Sequence, residues 1–415
     1  MSQVIFVGRE AGQETRVSAS AETVKRLKGL GFDVIVEAGA GLKSGVPDSE
    51  FSSAGAEIGS AADISKADVV LLVNRPLDTL IPHFKRGALL LAVMNPYDAA
   101  ASLNLLADQG VTALSMELMP RITRAQSMDV LSSQANLAGY RAVIDATHEY
   151  GKAMPMMMTA AGTVPAAKVF VMGAGVAGLQ AIATARRLGA VVSATDVRPA
   201  AKEQVASLGG KFIAVEDEEF RAAETAAGYA KPMSEAYQQK QAALVADHIA
   251  KQDIIITTAL IPGRAAPRLV TRAMLASMKP GSVAVDLAVE RGGNIEGSKA
   301  GEIVDVEGVR VIGYANVPGR VAASASALYA RNLYAFLETL VDKAAKEVRV
   351  NPEDELVKAT MLTHAGAVVH PNFAAAAEAA RSAAPQPLDK AVSAKAAKPR
   401  AKKKTDGSPE KKEEL

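Results

Sequence analysis

Short apolar runs alternate with amphipathic segments from the start of the chain. The runs Val4–Val7, Asp33–Val36, Val69–Val73, Leu89–Met94 and Val111–Met116 have the length and composition of buried strands. Between them lies text with helical spacing, such as Ala21-Glu-Thr-Val-Lys-Arg-Leu-Lys-Gly-Leu30, stopped by Gly31. The rhythm returns at Val169–Met172, Val191–Thr195, Phe212–Val215, Asp253–Thr257, Val283–Leu287 and Val309–Ile312. Strands alternating with helices predict an α/β fold with two doubly wound, Rossmann-like parallel sheets. Residues Ser127–Tyr150 keep a helical period with Gly139 as the one breaker, and Ala322–Val348 is similar. A chain entering the second unit by one long helix and leaving by another makes that unit an insertion. The expected domains are therefore 1–135 plus 322–373, and 136–321. From Ala374 the text turns to Ala, Lys, Pro and Ser, which cannot bury a core, so residues 374–415 read as a disordered tail.

One strand runs directly into a phosphate-binding pattern. Lys168-Val-Phe-Val-Met172 is followed by Gly173, Gly175 and Gly178 in Gly-x-Gly-x-x-Gly spacing, then by a helix-like run to Leu188. Gly173 allows the tight turn, Gly175 lets backbone approach a pyrophosphate, and Gly178 permits close helix–strand packing. The diphosphate would sit on the helix N-terminus, where free N–H groups and the dipole favour an anion. A second strand ends on Asp196, 18 residues after Gly178, placed to accept hydrogen bonds from an adenosine ribose. Its charge favours NAD over NADP, although Arg198 beside it is able to pair with a 2′-phosphate.

Composition narrows the chemistry. At 415 residues the chain accommodates two cores, and 4% aromatic residues with no Trp leave few platforms for single-stranded nucleic acid. The absence of cysteine excludes disulfides, thiol catalysis and thiolate metal sites. The five histidines, His83, His148, His248, His364 and His370, show no metal-ligand spacing, and no Gly-x-Ser-x-Gly elbow occurs. No apolar stretch nears the length of a membrane span and the start lacks a secretory pattern, so a cytoplasmic protein is expected. The net charge of +2 hides an asymmetry: residues 386–415 carry nine Lys/Arg against five Asp/Glu, which leaves the remainder at −2. That basic tail reads as a solvated segment, or as a tether towards an acidic partner or anionic lipid.

A second polar cluster precedes the first long helix. Arg121, Arg124, Gln126, Asp129 and Ser132 crowd the text where the chain crosses between domains. Two readings fit. The cluster could grip a nicotinamide carboxamide, with Gln126 both donating and accepting, or it could be a helix N-terminus with Asp129 in its first turn.

The run Pro120-Arg-Ile-Thr-Arg-Ala-Gln-Ser-Met-Asp-Val-Leu-Ser-Ser-Gln-Ala-Asn-Leu-Ala-Gly-Tyr-Arg-Ala-Val143 resembles the NAD(H)-binding domain of proton-translocating NAD(P)+ transhydrogenases. So do Gly173-Ala-Gly-Val-Ala-Gly-Leu-Gln180, Ala194-Thr-Asp-Val-Arg198, Gly228-Tyr-Ala-Lys231 and Thr257-Thr-Ala-Leu-Ile-Pro-Gly-Arg264. The likeness spans about residues 3–372. It implies a nicotinamide site at Arg121, Ile122, Thr123, Arg124, Gln126, Ser127, Met128, Asp129 and Ser132. It implies a pyrophosphate site at Gly173, Ala174, Gly175, Val176 and Gly178, and a ribose site at Asp196, Val197 and Arg198. Gly228 and Tyr229 would belong to a loop closing over the nucleotide, with Gln241 and Leu260 beside it. The implied catalytic set is Arg121, Gln126, Asp129, Ser132 and Tyr229.

The resemblance also implies hydride transfer between NAD(H) here and NADP(H) on a beta subunit, coupled to proton translocation. It further implies a homodimer, a separate membrane-spanning subunit, and a peripheral place on the cytoplasmic face of the membrane. Alanine dehydrogenase shares the fold. Asn74 stands where that enzyme has its substrate-binding lysine, Asn95 where it has a histidine, and Glu290 where it has an aspartate; Arg16 alone is kept. Without base or clamp, amino-acid oxidation is not expected. An amino-acid dehydrogenase and a non-catalytic NAD-binding module remain the alternatives.

Overall fold

The computed structural model describes residues 2–222 and 233–383. The chain opens with β1 (Val4–Val7), α1 (Ala21–Gly29), β2 (Asp33–Glu37), α2 (Asp48–Ser53), β3 (Glu57–Gly59) and β4 (Val69–Asn74). It continues through β5 (Leu89–Val93), α3 (Ala100–Asp108) and β6 (Thr112–Ser115) into the long helix α4 (Val130–Glu149). A hairpin, β7 (Met157–Thr159) and β8 (Gly162–Val164), leads to β9 (Lys168–Met172), α5 (Val176–Arg187) and β10 (Val191–Thr195). Then come α6 (Ala201–Ser207), β11 (Lys211–Phe212), α7 (Glu218–Arg221), α8 (Glu235–Ile249) and β12 (Ile254–Thr257). The second half closes with α9 (Arg272–Ala276), β13 (Val283–Asp286), β14 (Glu302–Val306) and β15 (Val309–Gly313). Helix α10 (Ala322–Thr339) returns to the first half, where β16 (Val341–Asp342), β17 (Glu347–Val348), α11 (Glu355–Thr360), β18 (Met361–His364), β19 (Ala367–Val368) and α12 (Pro371–Ala383) end it.

Among the described residues two large sheets result, in the order β19-β18-β6-β5-β4-β1-β2-β3 and β11-β10-β9-β12-β13-β15-β14, beside the two-stranded β7–β8 and β16–β17 hairpins. Six strands of the first run parallel, with β18 and β19 antiparallel at its edge, and β14 is the antiparallel strand of the second. This is the expected α/β architecture of two doubly wound sheets. Central strands such as Val69-Val-Leu-Leu-Val-Asn74 are apolar without alternation because helices cover both faces. Among the described residues each of these sheets therefore has a core on either side.

Three boundaries differ from the pattern. The expected helix from Ala322 to Val348 stops at Thr339, because the Asp342 carboxylate accepts the N–H groups of Ala344 and Ala345 and turns the chain into the β16–β17 hairpin. Helix α4 begins at Val130, not Ser127, because Asp129 caps it. The tail does not begin at Ala374: α12 runs on to Ala383, burying Phe373 and Ala377, and Asn104 donates to the Ala377 carbonyl at 2.7 Å. Alanine is the strongest helix former, and its small side chain lets α12 lie close on α3. Residues 384–415 lie outside the described residues.

Two contacts anchor the long helix α4 and the joint between the halves. A Cβ on Gly139 of α4 would lie 2.0 Å from the Ala177 carbonyl oxygen of α5, so the helices touch backbone to backbone. At the other joint, Glu14 accepts from Arg16 Nε and Nη2 at 2.8 Å each, from Asn74 Nδ2 at 2.9 Å and from Asn316 Nδ2 at 3.0 Å. Arg16 Nη1 reaches Gln134 of α4 at 2.9 Å. Burial opposes the Glu14 charge, but Arg16 outweighs it and holds the carboxyl near 2. Neighbouring Glu10 accepts the Val73 N–H at 2.6 Å and the Asn74 N–H at 3.3 Å, yet burial dominates and pushes it up to about 7.

Gly139→Ala should force α4 and α5 apart and lower stability by about 1–3 kcal/mol in urea unfolding, while Gly151→Ala, with open space around it, leaves stability unchanged. A pH effect follows from Glu10. Folded Glu10 keeps its proton to about pH 7, whereas the unfolded chain releases it near 4.5, so its contribution falls as pH rises between these values, by roughly 3 kcal/mol. Glu14 acts with opposite sign, losing stabilisation only as pH falls from 4.5 through 2. Unfolding free energies measured at pH 5 and 7 should therefore differ less in Glu10→Gln than in the parent. An unchanged difference would refute the assignment.

Candidate functional site

The carboxyl end of β9 forms the site's floor. Gly173 adopts φ +106° and donates to the Thr195 carbonyl at 2.8 Å. A Cβ on Gly178 would fall 1.8 Å from the Gly173 carbonyl oxygen, which ties the first turn of α5 to the strand it follows. Gly175 is different. It caps α5 in an extended conformation with no side-chain capping bond, and a Cβ there would meet nothing within 4 Å. The N-terminus of a 12-residue helix thus opens on free space, the arrangement that suits an anion.

Asp196 follows β10, and it is not a bare acceptor. Its Oδ2 takes the Ala174 N–H at 2.7 Å and Arg198 Nη2 at 3.1 Å; Oδ1 takes the Arg198 backbone N–H and Nε at 2.9 Å each. Arg198 Nη2 also reaches the Ala174 carbonyl at 3.2 Å. Acid and base form one neutral unit locked to the glycine loop, so Asp196 acts here by holding Ala174 and Arg198. Beside them, Gln241 bridges Thr195 Oγ1 at 3.2 Å and the Val215 N–H at 2.8 Å.

An apolar lip surrounds the loop. Val176, Val197, Leu260 and Ile261 are all exposed, an unusual density for such residues. Leu260 and Ile261 stand on a loop, residues 259–267, that follows β12, and Thr258 Oγ1 donates to the Gly173 carbonyl at 3.2 Å. Fully buried Asn294 secures both ends of this loop: its Oδ1 accepts the Ala259 N–H at 3.0 Å, and Nδ2 donates to the carbonyls of Ala259 and Pro267. No pattern in the sequence singles out Asn294, which lies far along the chain from the residues it secures.

The polar cluster before α4 divides. Residues Thr123–Met128 form a 3-10 turn in which Ala125 and Met128 are buried in the first core, so the Met128 side chain serves packing. Arg124 is bound in a fork by Asp354 at 3.0 Å and 3.0 Å. Asp129 caps α4, accepting the Ser132 N–H at 2.9 Å and its hydroxyl at 2.5 Å. Ile122 is half-buried, whereas Arg121, Thr123, Gln126 and Ser127 are exposed. Helix α4 carries this cluster to the floor: Ser132 lies two turns, about 10 Å, before Gly139, which rests on Ala177 of α5. Gly228 and Tyr229 lie outside the described residues.

The positions compared with alanine dehydrogenase are all engaged by protein groups. Arg16 and Asn74 serve Glu14, Asn95 accepts from Arg291 Nη2 at 2.7 Å, and Glu290 accepts the Asn316 N–H at 3.1 Å. Three histidines are engaged by protein groups: half-buried His248 pairs through Nε2 with Ser193 Oγ at 2.7 Å, half-buried His364 through Nδ1 with Thr112 Oγ1 at 3.1 Å, and buried His370 accepts the Asn372 N–H on Nδ1 at 3.2 Å.

Comparison with known proteins identifies the family. Models of the alanine dehydrogenase/PNT N-terminal and C-terminal domains match residues 6–138 and 142–371. An NAD(P) transhydrogenase subunit alpha chain of Rhodospirillum rubrum is 56% identical over 365 residues, 86% of this chain and 95% of that protein. The crystal structure of a transhydrogenase from Sinorhizobium meliloti superposes with a TM-score of 0.82 at 65% identity, covering 88% of this chain and 100% of the other. An L-alanine dehydrogenase structure follows at 0.73 and 25%, covering 89% and 98%. With two domain models matched in order and more than half of its aligned residues shared with a transhydrogenase subunit, the chain belongs to the alanine dehydrogenase/PNT family, among the alpha subunits of NAD(P) transhydrogenase.

Proposed function

We propose that this chain binds NAD(H) and presents its nicotinamide to NADP(H) on a partner beta subunit, for direct hydride transfer coupled to proton translocation. The observation that carries this reading is the open floor at Gly175, where the unpaired N–H groups of α5 and the space above them fit a dinucleotide pyrophosphate. Gly173, Ala174, Val176 and Gly178 would complete that cradle, and Asp196, Val197 and Arg198 would face the adenosine ribose beside Gln241 and Leu260. Arg121, Ile122, Thr123, Gln126, Ser127, Asp129 and Ser132 would orient the nicotinamide, with Gly228 and Tyr229 closing over it. Bound NAD(H) supplies the two-electron chemistry itself. The chain's own task is to align the ring and exclude water, which needs no acid or base at the reacting carbon.

The partners are read from what the chain leaves uncovered. The β7–β8 hairpin follows Met156 and exposes Met157 and Met158; a lone two-stranded hairpin is marginal in water, which supports a homodimer that covers it. Among the described residues no helix is long and apolar enough to cross a membrane, so the proton path is assigned to a separate membrane-spanning subunit. The chain would then sit peripherally on the cytoplasmic face.

Mixing the chain with an NADP(H)-binding partner subunit should give hydride exchange between NADH and a chromophoric NAD analogue well above either component alone. The same preparation should not reduce NAD with alanine. No exchange above the separate components would refute the reading. For the ribose site, tyrosine emission is a clean probe because the chain has no Trp. Wild type should bind NADH more tightly than NADPH. Asp196→Asn strips Arg198 of its carboxylate contacts and should narrow that preference about tenfold, the worth of roughly 1.4 kcal/mol. Equal narrowing in an exposed-surface control such as Asp247→Asn would overturn the role of Asp196.

A further inference from the structure

Both sheets turn their carboxyl ends to one cleft, and contacts between the halves cross it. The loop after β5 supplies Asn95, Tyr97 and Asp98; the loops after β12 and β13 supply Gly263 and Arg291. Arg291 Nη1 meets Asp98 Oδ2 at 3.0 Å and Nη2 meets Asn95 Oδ1 at 2.7 Å. The Tyr97 ring lies directly over Gly263, where an added Cβ would stand 2.4 Å from Cδ1 and Cε1. Each side is braced from behind. Tyr97 packs edge-on against Phe373, centroids 5.1 Å apart. The loop bearing Gly263 is held by Asn294 and by the Ala266 N–H on the Arg291 carbonyl at 2.7 Å.

We propose that Tyr97 over Gly263, with Arg291 on Asp98 and Asn95, forms a clasp that fixes the aperture of the cleft. Resting on the hydride-transfer reading above, this makes Tyr97 and Arg291 positioning residues for the nicotinamide. The loop that holds Gly263 against Tyr97 also carries Leu260 and Ile261, so one rigid piece touches both the first half and the apolar lip of the nucleotide site. The nicotinamide cluster at 121–132 belongs to the first half and the glycine loop to the second. Only a fixed aperture keeps those two regions in register, and small misplacements weigh heavily on transfer between two held groups. Asp98 is 77% exposed, so its ion pair is weak and the Tyr97 ring contact carries most of the hold. A clasp of that strength can open for nucleotide exchange.

The absence of cysteine allows a direct test. Spin labels on Leu105→Cys in α3 and Val191→Cys in β10, both exposed, report the separation of the halves when labelled chain is diluted with unlabelled chain. The parent should give one narrow distance distribution, and Tyr97→Ala combined with Arg291→Ala a broader one with a longer mean. NADH affinity of the same double variant, measured by the emission of its remaining tyrosines, should stay within about threefold of the parent. Single-turnover hydride transfer with the NADP(H)-binding partner should fall about tenfold or more in the double variant, and Arg291→Lys should retain most of the rate. An unchanged distance distribution overturns the clasp, as does a wider cleft with an unchanged rate, or an equal loss of affinity and rate. If the parent transfers no hydride with the partner, the functional reading fails, while the distance measurement still decides whether the clasp exists.

Discussion

The buried carboxylate of Glu14 is the point on which the relation of the two halves depends. It draws together Arg16 of its own loop, Asn74 at the end of β4, Asn316 from the second half and, through Arg16, Gln134 on α4. These residues come from four distant stretches of chain, and Asn316 could not reach Glu14 if the halves met differently. A buried ion pair gains little over a well-packed apolar replacement, but losing one member leaves an uncompensated charge at a cost of about 3–5 kcal/mol. Its value is therefore in selecting one arrangement rather than in net stability. The site inherits that arrangement, because α4 runs from Gln134 to the backbone contact at Gly139 and Ala177.

The same carboxylates explain why, among the described residues, the second sheet leaves its crevice open and the first does not. Each sheet has a point where strand order reverses, between β1 and β4 in the first and between β9 and β12 in the second, and ligands favour such crevices. In the first sheet the crevice is filled from within: Glu10 takes the N–H groups of Val73 and Asn74, and Glu14 crowds beside it. A Cβ on Gly8 there would already lie 2.6 Å from Leu72. In the second sheet Gly175 leaves the space open and Thr258 fastens the loop from below. Two sheets of one design thus diverge through what stands in the first few residues after one strand.

Much of this was legible in the chain. Continuous apolar runs marked the central strands, and the spacing of Gly173, Gly175 and Gly178 marked the floor, because both depend on neighbours in sequence. Short edge strands such as β3 and β19 were not visible, since two or three residues carry no periodicity. Gly139 stood out as the one breaker in a long helix, but its reason, a carbonyl on α5, belongs to another element. Asp196 was legible as a charge at a strand end, not as a charge already shared with Arg198 two residues on. Asn294 and the Arg291 contacts gave no local signal, because their partners are 27 to 196 residues distant.

The polar side chains of the cleft show why holding, rather than acid–base work, suits it. A dehydrogenase acting on an amino acid needs a cation free for a carboxylate and a group able to take a proton. Here Arg16 is bound by Glu14, and the amides of Asn74 and Asn95 cannot take a proton at neutral pH; both are spent on protein partners. Desolvation pushes the half-buried Glu10 carboxyl up to about 7, but it faces the backbone N–H groups of Val73 and Asn74. At the second sheet and the head of α4 the described residues leave open a helix N-terminus, an apolar lip and a row of exposed polar residues. Those are features that would fix a dinucleotide in place, and for the transfer between two nicotinamides proposed above, fixing them in place is most of what a protein has to do.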